Sequence, residues 1–198
     1  MIRVASVLLS AKSASSHRLL LAFLLGFIPL LSAQQPQVGA KAPDFTLATP
    51  ENKSVHLADM LAKGPVALVV LRGYPGYQCP YCNRQVQDLI EKSPDFAALG
   101  VQILAVYPGP PKDLGNKANE FLTGKKLPPN FTLVLDPGYE FTNLYGLRWD
   151  ADHETALPST FLLNQQGIVF FSKVVKEHGG RASSAEMLDA LPKQKPKQ

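Results

Sequence analysis

Apolar residues fall in short blocks between turn-forming clusters, and the spacing inside each block specifies an element. Phe45-Thr46-Leu47 and Ser54-Val55-His56-Leu57 alternate apolar with polar positions around Pro50-Glu51-Asn52-Lys53, which predicts a β-hairpin. Leu57 to Leu61 predicts a short helical turn. Val66 to Leu71 is a continuous apolar run, the pattern of a strand buried on both faces. After it, Cys82, Val86, Leu89 and Ile90 recur at helical spacing, in a helix that starts at Pro80, breaks near Ser93-Pro94 and resumes to Leu99.

Val101 to Val106 predicts the next strand, and Pro108-Gly109-Pro110-Pro111 opens a loop before a helix over Asn116 to Leu122. Phe131 to Leu135 predicts a third core strand that stops at Asp136-Pro137-Gly138. Tyr139 to Leu144 reads as a short helix, with Gly146 suited to its C-terminal end. Thr160 to Leu163 and Ile168 to Phe171 flank Asn164-Gln165-Gln166-Gly167, a second hairpin. Ser183 or Ser184 can cap a last helix that presents Met187, Leu188 and Leu191 on one face. Strands alternating with helices and closed by an antiparallel hairpin predict an α/β sandwich around a mixed sheet.

The first 33 residues read differently. Arg3, Lys12 and Arg18 precede an apolar stretch, Leu19 to Leu31, and Ser32-Ala33 follows it. That is the layout of a secretory signal peptide over 1–33 with cleavage near Ala33, or of an N-terminal anchor through 19–31. The chain is therefore expected to be exported, to a periplasmic or extracellular space. Residues 192–198, with Lys193, Lys195 and Lys197 among Pro and Gln, are expected to be a disordered tail. The net charge of +4 owes most to the leader: the remainder holds 17 basic against 16 acidic residues. A near-neutral domain offers no electrostatic case for nucleic acid.

Chemistry concentrates at Cys79-Pro80-Tyr81-Cys82, which holds both cysteines of the chain. A strand, a short loop, C-x-x-C and a helix is the context of dithiol redox chemistry. Pro80 suits the first helical position, which sets Cys79 at the N-cap among free backbone N–H groups. Cys79 is therefore the expected nucleophile, with a lowered pKa, and Cys82 the resolving partner in a redox-active disulfide. A structural disulfide is the plain alternative. A zinc site needs about four ligands, and neither a second C-x-x-C nor a close His pair occurs. No cofactor or metal is called for.

With this element order, the C-x-x-C after the first core strand resembles the thioredoxin-like superfamily. Val38 to Leu47 (V-G-A-K-A-P-D-F-T-L) resembles the opening motif of its alkyl hydroperoxide reductase/thiol-specific antioxidant branch (AhpC/TSA, redoxin). Leu157 to Gly167, and Leu135-Asp136-Pro137 followed by Leu144-Tyr145-Gly146, resemble further segments of that group. The likeness spans about residues 38 to 191 and implies a thioredoxin-like three-layer sandwich, with helices on both faces of the mixed sheet and an N-terminal β-hairpin. It also implies a cis Pro158 facing the dithiol. The peroxiredoxin pattern P-x-x-x-T-x-x-C is not met, because Arg72 and Gly76 stand where it has Pro and Thr. Residues 72–82 instead resemble the R-G-x-W-C-P-Y-C segment of peroxiredoxin-like proteins.

Arg72, at the strand end, is a candidate partner for a thiolate or a peroxide oxygen, and Arg148 is a second. Tyr77, Gln78, Pro80, Tyr81 and Arg148 are candidate substrate-binding residues, while His153 and His178 read as surface histidines. Three functions fit. A peroxiredoxin-like peroxidase ranks slightly ahead of a thiol–disulfide oxidoreductase acting on protein disulfides, and a copper metallochaperone ranks last. A thioredoxin-like or membrane-bound reductant is the expected partner of either enzyme.

Overall fold

The computed structural model describes residues 34–191. The expected leader, 1–33, and the expected tail, 192–198, lie outside the described residues.

The first hairpin is β1 (Thr46–Ala48) and β2 (Ser54–His56), and α1 (Leu57–Leu61) follows at once. Then come β3 (Val66–Val70), α2 (Pro80–Glu91), α3 (Ser93–Ala98), β4 (Gln102–Gly109), α4 (Leu114–Leu122) and β5 (Phe131–Pro137). The chain closes with α5 (Glu140–Leu144), β6 (Ser159–Leu163), β7 (Val169–Val174) and α6 (Ser184–Ala190). One seven-stranded sheet runs β2-β1-β5-β4-β3-β6-β7. β3, β4 and β5 are parallel, and the other pairings are antiparallel, so the sheet is mixed as expected.

Period-two alternation along β3 explains the layers. Ala67, Val69 and Leu71 face a core that includes Val86 and Leu89 of α2, Phe96 of α3, Ala118 and Phe121 of α4 and Met187 of α6. Val66, Leu68 and Val70 face a second core with Leu57, Met60 and Leu61 of α1 and Phe141 of α5. Every residue of β3 is buried, which is why its sequence is an unbroken apolar run. Helices thus cover both sheet faces, giving the three-layer sandwich.

β4, β5 and β7 outrun their expected ends. Pro108 pairs with Asp136 and Gly109 with Pro137. A proline loses one donor but keeps its acceptor, and here Pro108 O accepts the N–H of Tyr74 at 2.9 Å. Asp136 ends up buried, where its carboxylate accepts the N–H groups of Phe141 and Thr142 at 2.9 and 3.0 Å and so caps α5.

A correction concerns Pro158. No peptide bond among the described residues is cis, so the bond before Pro158 is trans. Trans is the lower-energy form by about 0.5–1 kcal/mol for a proline. It carries the chain directly into β6, and Pro158 O accepts the N–H of Val175 at 3.0 Å, continuing the β6–β7 ladder. Pro158 is buried one residue before Ser159, which pairs with Val70 at the end of β3.

Candidate functional site

The loop that leaves the C-terminal end of β3, in the middle of the sheet, delivers the two cysteines to the start of α2. Open α/β sheets place their chemistry at this end of the strands. Pro80 is the first residue of α2, and Cys79 is its N-cap with extended dihedrals (φ −74°, ψ 119°). Cys82 lies one turn in, with its side chain fully buried, and Cys79 is 1% exposed. Both are free thiols.

The two sulfurs have opposite electrostatics. The neighbouring Cys82 thiol is the main cause that draws the Cys79 pKa down from the ordinary thiol value to about 5. Burial opposes the shift, while the amides of Cys82 and Tyr81 and the charge of Arg181 reinforce it. Free N–H groups at a helix start do this to any sulfur placed there. Cys82 moves the other way: burial pushes it well above the ordinary value, and the neighbouring Cys79 adds to that. The two shifts run in the directions expected of an attacking and a resolving sulfur.

Arg181 was not foreseen from the sequence. Its Nη1 donates to Cys82 Sγ at 3.3 Å and to Gln85 Oε1 at 3.0 Å, and Nη2 lies 3.9 Å from Cys79 Sγ. Nε donates to the carbonyl of His178 at 2.9 Å. The segment is pinned from α2 itself: both oxygens of Asp88 accept from Ser184, at 2.8 Å from its N–H and 2.7 Å from its hydroxyl. Ser183 caps α6, its hydroxyl accepting the N–H of Glu186. The only local signal was Gly179-Gly180, which reads as a turn and carries no hint of what the next side chain reaches.

Arg72 sits beside the site but is engaged elsewhere. Its side chain is 1% exposed, and all three nitrogens have protein partners. Nε pairs with Glu154, Nη1 donates to Tyr77 Oη at 2.7 Å, and Nη2 donates to the carbonyl of His153 at 2.5 Å. The Thr155 hydroxyl donates to the Arg72 carbonyl and fixes the backbone as well. Burial works against the guanidinium's charge, yet the bonds to Glu154 and Tyr77 outweigh it and raise its pKa, with Cys79 contributing. Burial would likewise raise Glu154, but Arg72 and His178 hold its carboxyl below the ordinary value.

His178 is more than a surface histidine. Its Nε2 lies 2.8 Å from Glu154 Oε1, and its ring stands near Tyr81 and Trp149. His153 is exposed and contributes its carbonyl only.

The remaining candidates divide. Tyr77 and Tyr81 flank the dithiol and are 46% and 41% exposed. Pro80 is exposed at the helix start. Gln78 is turned to structural use: its Nε2 donates to the Lys117 carbonyl and its Oε1 accepts from the Tyr107 hydroxyl, both at 2.8 Å. Arg148 donates to the carbonyls of Trp149 and Thr155, pairs with Asp150 at 2.9 Å and stacks over Tyr139 at 4.0 Å. Those bonds organise the 148–156 turn and leave no role toward sulfur. Among the described residues, no group of three or more His, Cys, Asp or Glu could hold a metal ion, and no helix is long and apolar enough to cross a membrane.

This three-layer fold, with a C-x-x-C dithiol at the start of α2, is that of a thioredoxin-like, thiol-dependent oxidoreductase. The chain belongs to the AhpC/TSA family, whose model matches residues 38–172. It is 30% identical over 153 residues to the peroxiredoxin-type protein bcp of Haemophilus influenzae, covering 71% of this chain and 90% of that one. It is 32% identical over 132 residues to the thiol-disulfide oxidoreductase ResA of Geobacillus thermodenitrificans, covering 67% and 66%. Among solved structures, peroxidoxin BcpB of Mycobacterium tuberculosis superposes with a TM-score of 0.64 at 17% identity, covering 79% and 96%. A DsbE-type thiol:disulfide interchange protein of Chlorobium tepidum does so with 0.55 at 26% identity, covering 71% and 86%.

Proposed function

We propose that this chain exchanges its Cys79–Cys82 dithiol with disulfides, Cys79 attacking and Cys82 resolving. The observation that carries this reading is the placement of the two sulfurs one turn apart at the start of α2, Cys79 at the N-cap and Cys82 fully buried, with Arg181 reaching both. The attacking sulfur is anionic, and the resolver keeps its proton until a mixed disulfide forms at Cys79. Loss of the thiolate charge then removes one of the causes that hold the Cys82 pKa up, and the second attack follows. The helix need not unwind for the disulfide to close, since the partners are one turn apart. Similarity to ResA and to the DsbE-type protein supports this electrophile.

Peroxide reduction is the second reading, supported by the similarity to bcp and by Arg181 beside Cys79. It needs donors for the departing oxygen. Gly76 has no hydroxyl to offer, and each nitrogen of Arg72 already gives one N–H to protein, which leaves the second N–H of Nη1 and of Nη2. Those two N–H groups, Arg181 and the amides at the start of α2 are the donors at hand, and a departing hydroxide or alkoxide depends on them more than a departing thiolate does. Copper carriage is disfavoured by that same guanidinium, a fixed cation against both sulfurs. The substrates are thus disulfides or peroxides, and the reductant is a thiol protein of the thioredoxin kind. The leader pattern in 1–33 supports export.

Stopped-flow oxidation of the reduced protein, once with a disulfide peptide and once with hydrogen peroxide, tests the ranking. Faster oxidation by the disulfide is expected. Rapid oxidation by peroxide with a sluggish response to disulfide would put the second reading first.

A further inference from the structure

Beside the dithiol lies a groove whose positive charge the chemistry at sulfur uses only in part. About 370 Å³ opens between the exposed side of α2 and residues 179–183, and Tyr81, Arg84, Gln85 and Arg181 line it. That volume is at the lower end of small-molecule sites, which run from about 300 to 1,000 Å³. Arg181 both lines the groove and reaches the two sulfurs, so it links an occupant of the groove to the dithiol. Arg84 is exposed, with its guanidinium 4.5 Å above the Tyr81 ring.

Among the described residues neither arginine is ion-paired, in contrast to Arg72 and Arg148. One acid, Asp88, also lines the groove, but both its oxygens accept from Ser184. Glu177 stands close by at Gly180, outside the lining. A groove with an exposed guanidinium that has no ion-pair partner, that of Arg84, an exposed aromatic face, and a second guanidinium, Arg181, bonded to His178, Gln85 and the sulfurs, suits an anion, and its place beside the dithiol suits one that carries sulfur. Guanidinium binds carboxylate through two parallel N–H bonds, and a peptide plane lies well against an aromatic ring.

We infer that this groove selects small peptide disulfides with carboxylates near the sulfur. The inference rests on the disulfide-exchange reading above and names its substrate class. The Cys79 thiolate attacks one sulfur of the peptide disulfide. The S–S bond breaks, and the far half leaves as a thiolate that takes up a proton from solvent. Cys82 then gives up its proton and attacks Cys79 sulfur, which releases the second half as a thiol. The peptide disulfide gains two electrons and the protein dithiol loses two.

Three disulfides of different charge test it: oxidised glutathione (anionic), hydroxyethyl disulfide (neutral) and cystamine (cationic). Reduced wild-type protein should favour them in that order, by up to about five-fold for each exposed guanidinium–carboxylate contact, and the preference should shrink in high salt. Arg84→Glu should invert the ratio of the glutathione rate to the cystamine rate. S-Methylglutathione, which has the carboxylates but no exchangeable sulfur, should shift the NMR signals of Tyr81 and Arg84. Equal rates for the three disulfides, or a ratio that Arg84→Glu does not move, would overturn the inference while leaving disulfide exchange standing. Failure to react with any of the three would overturn the exchange reading itself and this inference with it.

Discussion

Three neighbours hold the Cys79 pKa down: the Cys82 thiol first, then the amides at the start of α2 and the guanidinium of Arg181. They are separable by experiment. Alkylation of the reduced protein should label Cys79 before Cys82, with a pH midpoint well below the free thiol value of about 8.5. Arg181→Ala should raise that midpoint by about one pH unit, and Arg181→Lys should restore part of it. An unmoved midpoint in Arg181→Ala would leave the amides and Cys82 as the whole cause. Cys82→Ser should trap a mixed disulfide at Cys79, visible by mass spectrometry, and turnover through the intramolecular disulfide should cease. If Cys82→Ser released its bound peptide as fast as wild type, Cys82 would not be the resolver. The cysteine pair was legible because its determinants are adjacent in sequence: Pro80 at the first helical position and an apolar strand before it. Arg181 lies 102 residues beyond Cys79 and is placed by a bond between Asp88 and Ser184, which no local spacing encodes. Arg72 and Arg148 were visible in the sequence as arginines, but which acid or carbonyl each would find was not.

Elements were read well wherever one face or both are buried, since burial writes the period into the sequence. The run Val66 to Val70 and the helical spacing after Pro80 are the clearest cases, and the break at Ser93-Pro94 separates α2 from α3 as expected. Misreadings fall where tertiary contact overrides a local turn signal. Pro108-Gly109 looks like loop, yet it completes β4 because β5 is alongside it and Tyr74 takes the free carbonyl. That same contact controls the cysteine loop. Gly73 has φ +66°, and a Cβ there would come within 1.8 Å of Pro108 O. No side chain moves to relieve a clash with a carbonyl, so the loop or the end of β4 must shift. Gly73→Ala should therefore lose at least about 2 kcal/mol of stability, read as a lower denaturant midpoint. It should also blunt Cys79 alkylation at mildly acidic pH, because the loop sets the N-cap. A stable Gly73→Ala protein with unchanged thiol reactivity would show that the loop tolerates displacement.

At the scale of the whole domain, the link between the dithiol end of the sheet and the long 148–156 turn is a buried charge cluster. Arg72 leaves β3 and meets Glu154, and Glu154 also takes His178 from the segment before Arg181. One carboxylate thus ties together three stretches of chain that are distant in sequence. The pair stands at 1% and 10% exposure, so neither charge is left to water. Replacing Glu154 with glutamine leaves the Arg72 guanidinium buried without a counter-charge, a change that costs about 3–5 kcal/mol when a buried pair is broken from one side. The pH dependence has a definite sign. Glu154 titrates below its ordinary value of about 4.3, so its contribution is complete above that pH and fades as the pH falls through the folded-state pKa. Wild type should hold a steady midpoint of denaturation from neutrality down to about pH 5, then lose stability below about pH 4.3. Glu154→Gln should start lower at neutral pH and show a shallower acid limb, so that the two curves converge. Arg72→Met combined with Glu154→Leu should recover much of the loss, since an apolar pair of similar volume has no charge to desolvate. Parallel curves for wild type and Glu154→Gln across the acid range would mean that the carboxylate carries no linkage. The cluster would then be only a steric filler between β3 and the turn.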